Sequence, residues 1–253
     1  MDNLEVYLIN LDRSKDRLFT MKQKLLKLGL GFTRIPAIDG KKTLFSDSQV
    51  DEKKYSLCHG KYITATEVAC YISHYNTLKE FLKSDKQFAL ILEDDMDFSK
   101  NFVSVLKALL RDYKSWDFVK FNGAHSGGNI KYKTILPNVN LVWNLFHQSK
   151  TGAYLINKKA AQSYVLGILP MFVPIDHEYI KFWKYNLKGF SVNPFPSCED
   201  GSDSTIDYNL IYKNRKPFFK KFPTLVYKVC VSLRRIVWVF SQILKNRFTF
   251  IKK

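Results

Sequence analysis

The chain has 253 residues, enough to bury a substantial core as one large domain or two small ones. Its 46% hydrophobic and 15% aromatic content excludes an intrinsically disordered chain. The formal net charge of +17 is local: twelve of the 40 Lys and Arg residues and no Asp or Glu follow residue 207, leaving 28 basic against 23 acidic residues before it. No recognised nucleic-acid-binding motif accompanies that charge, so no nucleic-acid partner is expected.

Leu4 to Leu11 reads as a buried first strand, and Asp12, Arg13 and Ser14 form the turn after it. Leu18, Met21, Leu25 and Leu28 then recur at helical spacing, with Gly29 placed to end the helix. Open α/β sheets bind ligands at the carboxyl ends of their strands, which makes Asn10, Asp12, Arg13 and Arg17 candidates for a nucleotide or its phosphates. The same Asp12 and Ser14 would also serve as helix caps, with Arg17 a surface charge. Phe32 to Ile38 predicts a second strand, with Pro36 implying an edge or a bulge, and Asp39-Gly40 turns the chain. Lys41 to Ile63 shows no clear period and is expected to be an irregular surface excursion.

Thr64 and Glu67 form a capping box for a helix whose stripe is Val68, Tyr71, Ile72, Tyr75, Leu78 and Leu82. His74 lies at the border of that stripe, where a packing role and a role in a cleft are both open. Next comes Phe88 to Phe98, FALILEDDMDF, an apolar run that ends in four carboxylates. If the strand persists, its period of two puts Glu93, Asp95 and Asp97 on one face and Asp94 on the other. Hard oxygen ligands of this kind suit Mg²⁺ or Mn²⁺ bound together with substrate phosphates; a solvated acidic turn is the plain alternative.

Phe102 to Tyr113 predicts a helix and Trp116 to Asn122 a strand, followed by a glycine-containing stretch with Asn122 and His125 on its rim. Leu141 to Phe146 and Ala153 to Ile156 read as strands, joined through His147, Gln148, Thr151 and Gly152, and Lys158 to Leu166 suits a helix. In Met171 to Tyr185 the chain places Asp176, His177 and Glu178 at the first turn of a helix expected to continue through Ile180, Phe182 and Trp183. Asp176 there would cap the helix or face a reacting hydroxyl. A short strand near Phe190 to Val192 precedes a polar loop, Pro196 to Thr205, holding Glu199, Asp200 and Asp203. Together these predict an α/β fold with a mainly parallel sheet and an added substrate-binding portion.

The four cysteines lie far apart without a CxxC pair, which fits a reducing compartment. The N-terminus lacks the charged and apolar regions of a signal peptide, and no apolar stretch is long enough to span a bilayer, so a cytoplasmic protein is expected. The tail mixes cations with aromatic residues, and Leu225, Val229, Leu233, Ile236, Val237, Phe240 and Leu244 recur at helical spacing. That composition predicts a helix that lies on an anionic membrane surface or packs on the body of the protein.

Four blocks, INLDRSKDR, IPAIDG, TATEVACYISHYNTLKEF leading into ALILEDDMDF, and TGAYLINKKAA followed by VPIDHEYI, carry a likeness to a known family. On them the chain resembles glycosyltransferase family 25, which contains the lipooligosaccharide galactosyltransferases of Gram-negative bacteria, over Val6 to Ser204. The resemblance implies a GT-A type, Rossmann-like catalytic domain over residues 1–212; the composition of residues 213–253 makes them a basic, aromatic, amphipathic C-terminal segment expected to associate with the membrane. It implies an inverting transferase dependent on Mn²⁺ or Mg²⁺, with UDP-galactose as donor and a lipooligosaccharide sugar as acceptor; the tail adds the expectation that it lies peripherally on the inner face of the bacterial inner membrane. A glucosyltransferase of the same type and a non-catalytic sugar-nucleotide-binding or nucleic-acid-binding protein are the alternatives.

Carried over, the resemblance makes Asp95 a metal ligand, with Glu93 or Asp94 supporting it or touching the ribose. It places Asn10, Arg13, Arg17, Ala37, Asp39 and Gly40 at the nucleotide end and makes His74 a site residue. Asp97, where this chain extends the motif, leaves the metal ligand set open. For the catalytic base the choice is Asp176, with Glu178 and Asp200 as rivals.

Overall fold

A computed structural model of the protein describes residues 2–124, 127–201 and 222–251. His125, Asp203 and the expected boundary between residues 212 and 213 lie outside the described residues. The order begins with β1 (Leu4–Asn10), α1 (Lys15–Lys27), β2 (Thr33–Pro36), α2 (Glu52–His59), α3 (Ala65–Lys83), β3 (Phe88–Glu93) and β4 (Met96–Phe98). It continues with α4 (Phe102–Arg111), β5 (Phe118–Lys120), β6 (Asn129–Leu136), β7 (Val139–Asn144), β8 (Ala153–Asn157) and α5 (Lys158–Gly167). Two short helices, α6 (Ile175–Tyr179) and α7 (Phe182–Tyr185), precede β9 (Gly189–Asn193), β10 (Ser197–Glu199) and the long α8 (Phe222–Ile251).

Eight strands form one sheet in the order β2-β1-β3-β8-β5-β9-β7-β6, and β4 pairs with β10 beside it. β1 is parallel to β2 and β3, and β5 to β9, while β8 opposes β3 and β5 and β7 opposes β9 and β6. Six of the eight strands therefore share one direction, as the α/β reading expects. Val6–Ile9 of β1 and Phe88–Leu92 of β3 are continuous apolar runs, as strands covered on both faces of a sheet require. Val6, Leu8, Leu90 and Leu92 pack with Met21, Leu25, Phe102 and Leu106 from α1 and α4 on one face. Tyr7, Ile9, Ala89 and Ile91 pack with Tyr71, Leu78, Ala161 and Tyr164 from α3 and α5 on the other.

Several expectations need correction. The stretch Lys41 to Ile63 is not wholly irregular: Asp51 caps α2, and Tyr55, fully buried, donates its hydroxyl to Glu67 at 2.9 Å. One buried side chain in a charged turn of helix leaves too weak a period to detect. β6 also went unrecognised, since it is an edge strand carrying Lys131 and Lys133, with register shifts between Lys131 and Lys133 and between Thr134 and Leu136 that break its alternation. The expected single helix after Pro174 is two, α6 and α7, and part of the expected polar loop is β10, which pairs with β4.

α8 packs on the body through one face. Thr224 donates to the Leu57 carbonyl at 2.7 Å, Trp238 lies against Phe182, and Val239 is fully buried. Its other face leaves Leu225, Val229, Leu233, Val237, Phe240 and Leu244 exposed in one stripe. Among the described residues, no helix is long and apolar enough to cross a membrane.

Candidate active site

The parallel pairing of β1 with β2 and β3 brings three strand ends to one edge of the sheet, with Asn10, Pro36 and Glu93 as their last residues. A cleft opens there, lined by Asn10, Arg13, Ala37, Asp39, Gly40, Cys70, His74, Glu93 and Asp94, among others. Eight of the ten residues expected at the nucleotide thus share one cleft; the exceptions are Asp12 and Arg17. Asp12 is exposed and paired with Arg34 at 2.5 Å. Gly40 is required sterically: a Cβ would stand 2.5 Å from the Ala65 carbonyl oxygen, where the loop presses against the start of α3.

Each carboxylate of the acidic turn is handled differently. Glu93 accepts from His74 Nε2 at 3.1 Å, and His74 Nδ1 meets the Tyr154 hydroxyl at 3.0 Å. Asp94 is clamped on both oxygens, by Asn10 Nδ2 at 2.6 Å and by Arg17 Nη1 at 3.0 Å. Arg34 Nε in turn holds the Asn10 side-chain oxygen at 3.0 Å. Asp95 has one oxygen 3.9 Å from Arg17 and the other, Oδ1, buried without any hydrogen-bond partner. Desolvation, with Glu93 and Asp94 adding repulsion, pushes the Asp95 pKa up to about 7 against the pull of Arg17. A buried carboxylate oxygen without a donor, crowded by two more carboxylates, fits a divalent cation held by Asp95 with Glu93 or Asp94.

Asp97 does not join this group. The strand ends at Glu93, residues 94–95 turn, and β4 redirects the chain, so the expected alternation of Glu93, Asp95 and Asp97 on one face is broken. Asp97 pairs instead with Lys24 at 2.7 Å, and the same ammonium holds Asp200 at 2.8 Å. The Asp200 backbone amide reaches the Asp95 carbonyl at 2.8 Å, so Asp200 flanks the acidic turn with its side chain committed to lysine.

The other two candidates for the base separate clearly. Glu178 is buried among Lys181, Lys184 and Tyr185, hydrogen-bonded to all three, with Lys184 Nζ at 2.6 Å. Burial by itself would raise its pKa; the two ammonium groups outweigh that and hold it low. Asp176 accepts only from backbone amides in this network, Lys150 at 3.1 Å and His177 at 2.9 Å. Lys120 anchors the loop that supplies the first amide: its buried ammonium donates to the carbonyls of Gln148 at 2.8 Å, Ser149 at 3.1 Å and Lys150. Burial lowers the Lys120 pKa to about 8.

Sequence reasoning missed Arg34, Tyr154 and Lys120. Arg34 and Lys120 each carried a signal, a charge inside a short apolar strand, whereas Tyr154 was indistinguishable from core.

A mainly parallel α/β sheet with a cleft at the carboxyl ends of its strands is the architecture in which open α/β proteins place their ligands. The model of glycosyltransferase family 25, described as an LPS biosynthesis protein family, matches residues 3–178, and the chain belongs to that family. It is 29% identical over 215 residues to procollagen galactosyltransferase 1-B of Xenopus laevis, covering 75% of this chain and 35% of that protein. It is 32% identical over 230 residues to the 1-A protein of the same species, covering 80% of this chain and 37% of that one. The chain thus spans about a third of the length of these relatives. The human inactive glycosyltransferase 25 family member 3 matches at 27% identity over 217 residues, 75% of this chain and 36% of that protein. Among solved structures, a mutant of the Drosophila β-1,4-galactosyltransferase 7, in complex with manganese, UDP-Gal and xylobiose, aligns with TM-score 0.40 and 10% identity. That alignment covers 85% of this chain and 82% of the other, and its score is too low to carry an argument.

Two outcomes follow from the site. Glu178→Ala strands the buried Lys181 ammonium and costs about 3–5 kcal/mol in denaturant unfolding, with donor binding by the folded protein unchanged. For Asp95, the folded-state pKa lies above the unfolded one, so the group's contribution to stability is lost as pH rises from the ordinary carboxylate range through about 7. The Tm of metal-free protein therefore declines across that window, and Asp95→Asn flattens the decline.

Proposed function

We propose that the chain is a GT-A type galactosyltransferase that moves galactose from UDP-galactose to a sugar hydroxyl, with inversion and with a divalent cation. The observation that carries this reading is the buried, unpartnered Asp95 oxygen next in the chain to Glu93 and Asp94, which line the strand-end cleft. The galactosyltransferase names of the family relatives support the sugar, and the family's description supports a lipooligosaccharide acceptor. Mn²⁺ is the proposed cation, held by Asp95 with Glu93 or Asp94; when bound it would neutralise the charge that develops on the departing diphosphate.

The chain's own residues do the rest. Asn10 and Arg17 fix Asp94, and the Tyr154–His74 pair fixes Glu93, so both carboxylates are positioned before the donor arrives. Arg13, ion-paired with Asp39 at the cleft, lies where it can exchange that partner for a phosphate. Asp176 takes the proton of the acceptor hydroxyl as its oxygen bonds to the anomeric carbon and the bond to UDP breaks. Two backbone amides orient this carboxylate, and no lysine among its hydrogen-bond partners neutralises it, in contrast to Glu178 and Asp200.

The test is a panel of UDP-sugars with Mn²⁺ and a chelator control, scored by UDP release. UDP-galactose turns over, chelation abolishes it, and Asp176→Asn lowers kcat by roughly 10²–10⁴ with donor affinity retained. Near-normal turnover by a folded Asp176→Asn protein removes the base assignment. UDP binding without UDP release under any condition replaces the transferase reading with that of a non-catalytic binder.

The outward face of α8 supports association with the cytoplasmic face of an anionic membrane. The helix contains no acidic residue, its apolar stripe runs beside the exposed Lys228, Arg234 and Lys245, and each cation near such a surface contributes about 1 kcal/mol. Val237→Glu with Phe240→Glu reverses the stripe without touching the buried face. Sedimentation with anionic vesicles is expected to lose the double variant and keep the wild type; equal binding of the two excludes this surface.

A further inference from the structure

Outside the acidic turn, His147, Asp176 and His177 bring one ligand atom each to within 4.8 Å of one another. His147 Nε2 is buried, has no hydrogen-bond partner, and lies 3.9 Å from Asp176 Oδ2. That separation is too long for a hydrogen bond. Two ligand atoms each about 2.1 Å from one ion stand at most about 4.2 Å apart, so a single ion fits between them. The His177 ring stacks against His147 with centroids 4.0 Å apart, and His59 meets His177 edge-on at 5.2 Å. His59 Nδ1 is likewise buried without a partner. Unpaired buried ring nitrogens on two separate segments call for a hydrogen-bond partner or an ion.

We infer that His147, His177 and Asp176 form a site for a zinc-type transition-metal ion, distinct from the carboxylates at residues 93–95, with His59 at its edge. Two imidazole nitrogens and one carboxylate oxygen are the donor set of Zn²⁺ and not of Mg²⁺. The backbone amides of Lys150 and His177 hold the carboxylate in place, as outer partners of a metal ligand do. Lys120 and Arg235 lie near enough to act electrostatically on His147, and their positive charge opposes a cation. The site therefore takes an ion by bonding to its nitrogens rather than by net charge, which further disfavours the alkaline-earth ions.

Occupancy has a consequence that rests on Asp176 being the base. A carboxylate bound to zinc no longer accepts the acceptor's proton, so zinc inhibits the transferase and a chelator selective for zinc over manganese restores it. The site itself does not depend on that reading.

The test titrates Zn²⁺ alone into the full chain in competition with a chromophoric chelator. The tightest zinc equivalent of the wild type is expected to weaken more than about tenfold in His147→Ala and, independently, in His177→Gln, and to be unchanged in Asp95→Asn and Cys70→Ser. Circular dichroism of both histidine variants shows that they are folded. Zinc affinity that stays at the wild-type level in both histidine variants overturns the inference. So does affinity that falls with Cys70→Ser, which would move the ion to the Cys70, His74 and Glu93 cluster. Zinc that binds through His147 yet leaves turnover untouched keeps the site and removes Asp176 as the base.

Discussion

Three adjacent carboxylates at the end of β3 repel one another, and the surrounding structure is arranged to tolerate two of them and leave the third uncompensated. Glu93 has His74, Asp94 has Asn10 and Arg17, and Asp95 keeps a buried oxygen with nothing to bind. His74 comes from α3, which leads directly into β3, whereas Asn10 and Arg17 come from β1 and α1, distant in sequence and brought to Asp94 because β1 lies beside β3 in the sheet. The order of strands thus creates the electrostatic situation of the site. Burial and the neighbouring carboxylates together make the charged form of Asp95 costly, so its carboxyl holds a proton up to about pH 7.

The second centre is built by different means. Asp176 depends on the 148–150 loop, and that loop depends on one buried ammonium, Lys120, tied to three carbonyls. A lysine in a central strand is costly to desolvate, and its three hydrogen bonds turn that cost into a fixed loop geometry. α8 closes on this region: Trp238 packs on Phe182, and Arg235 lies over Trp183. The basic C-terminal helix is therefore part of the α/β body on one face and an open apolar surface on the other.

Much of the site could be read from residues alone, and the misses have local causes. FALILEDD marked itself as an apolar strand ending in crowded acids, open to a cation or to solvent, and the Thr64–Glu67 capping box located α3 and with it His74. Asp97 was misplaced because period-two reasoning assumes the strand continues, and crowded carboxylates at a strand end favour a turn. Glu178 and Asp176 were inseparable two residues apart, since nothing local reveals which carboxylate faces Lys181 and Lys184. α2 and β6 were overlooked because their buried sides are carried by one residue or broken by bulges.

By itself the sequence determined the α/β class and the amphipathic character of the tail, because each is written in spacing along a short window, and the family through four blocks whose order and likeness run from Val6 to Ser204. Tertiary structure alone decided which carboxylate stays unpaired, which is neutralised by lysines, and that His147 faces Asp176 and His177. Those outcomes turn on distances of a few ångströms between segments far apart in the chain, and pairing energies at that range depend on packing that no local pattern encodes.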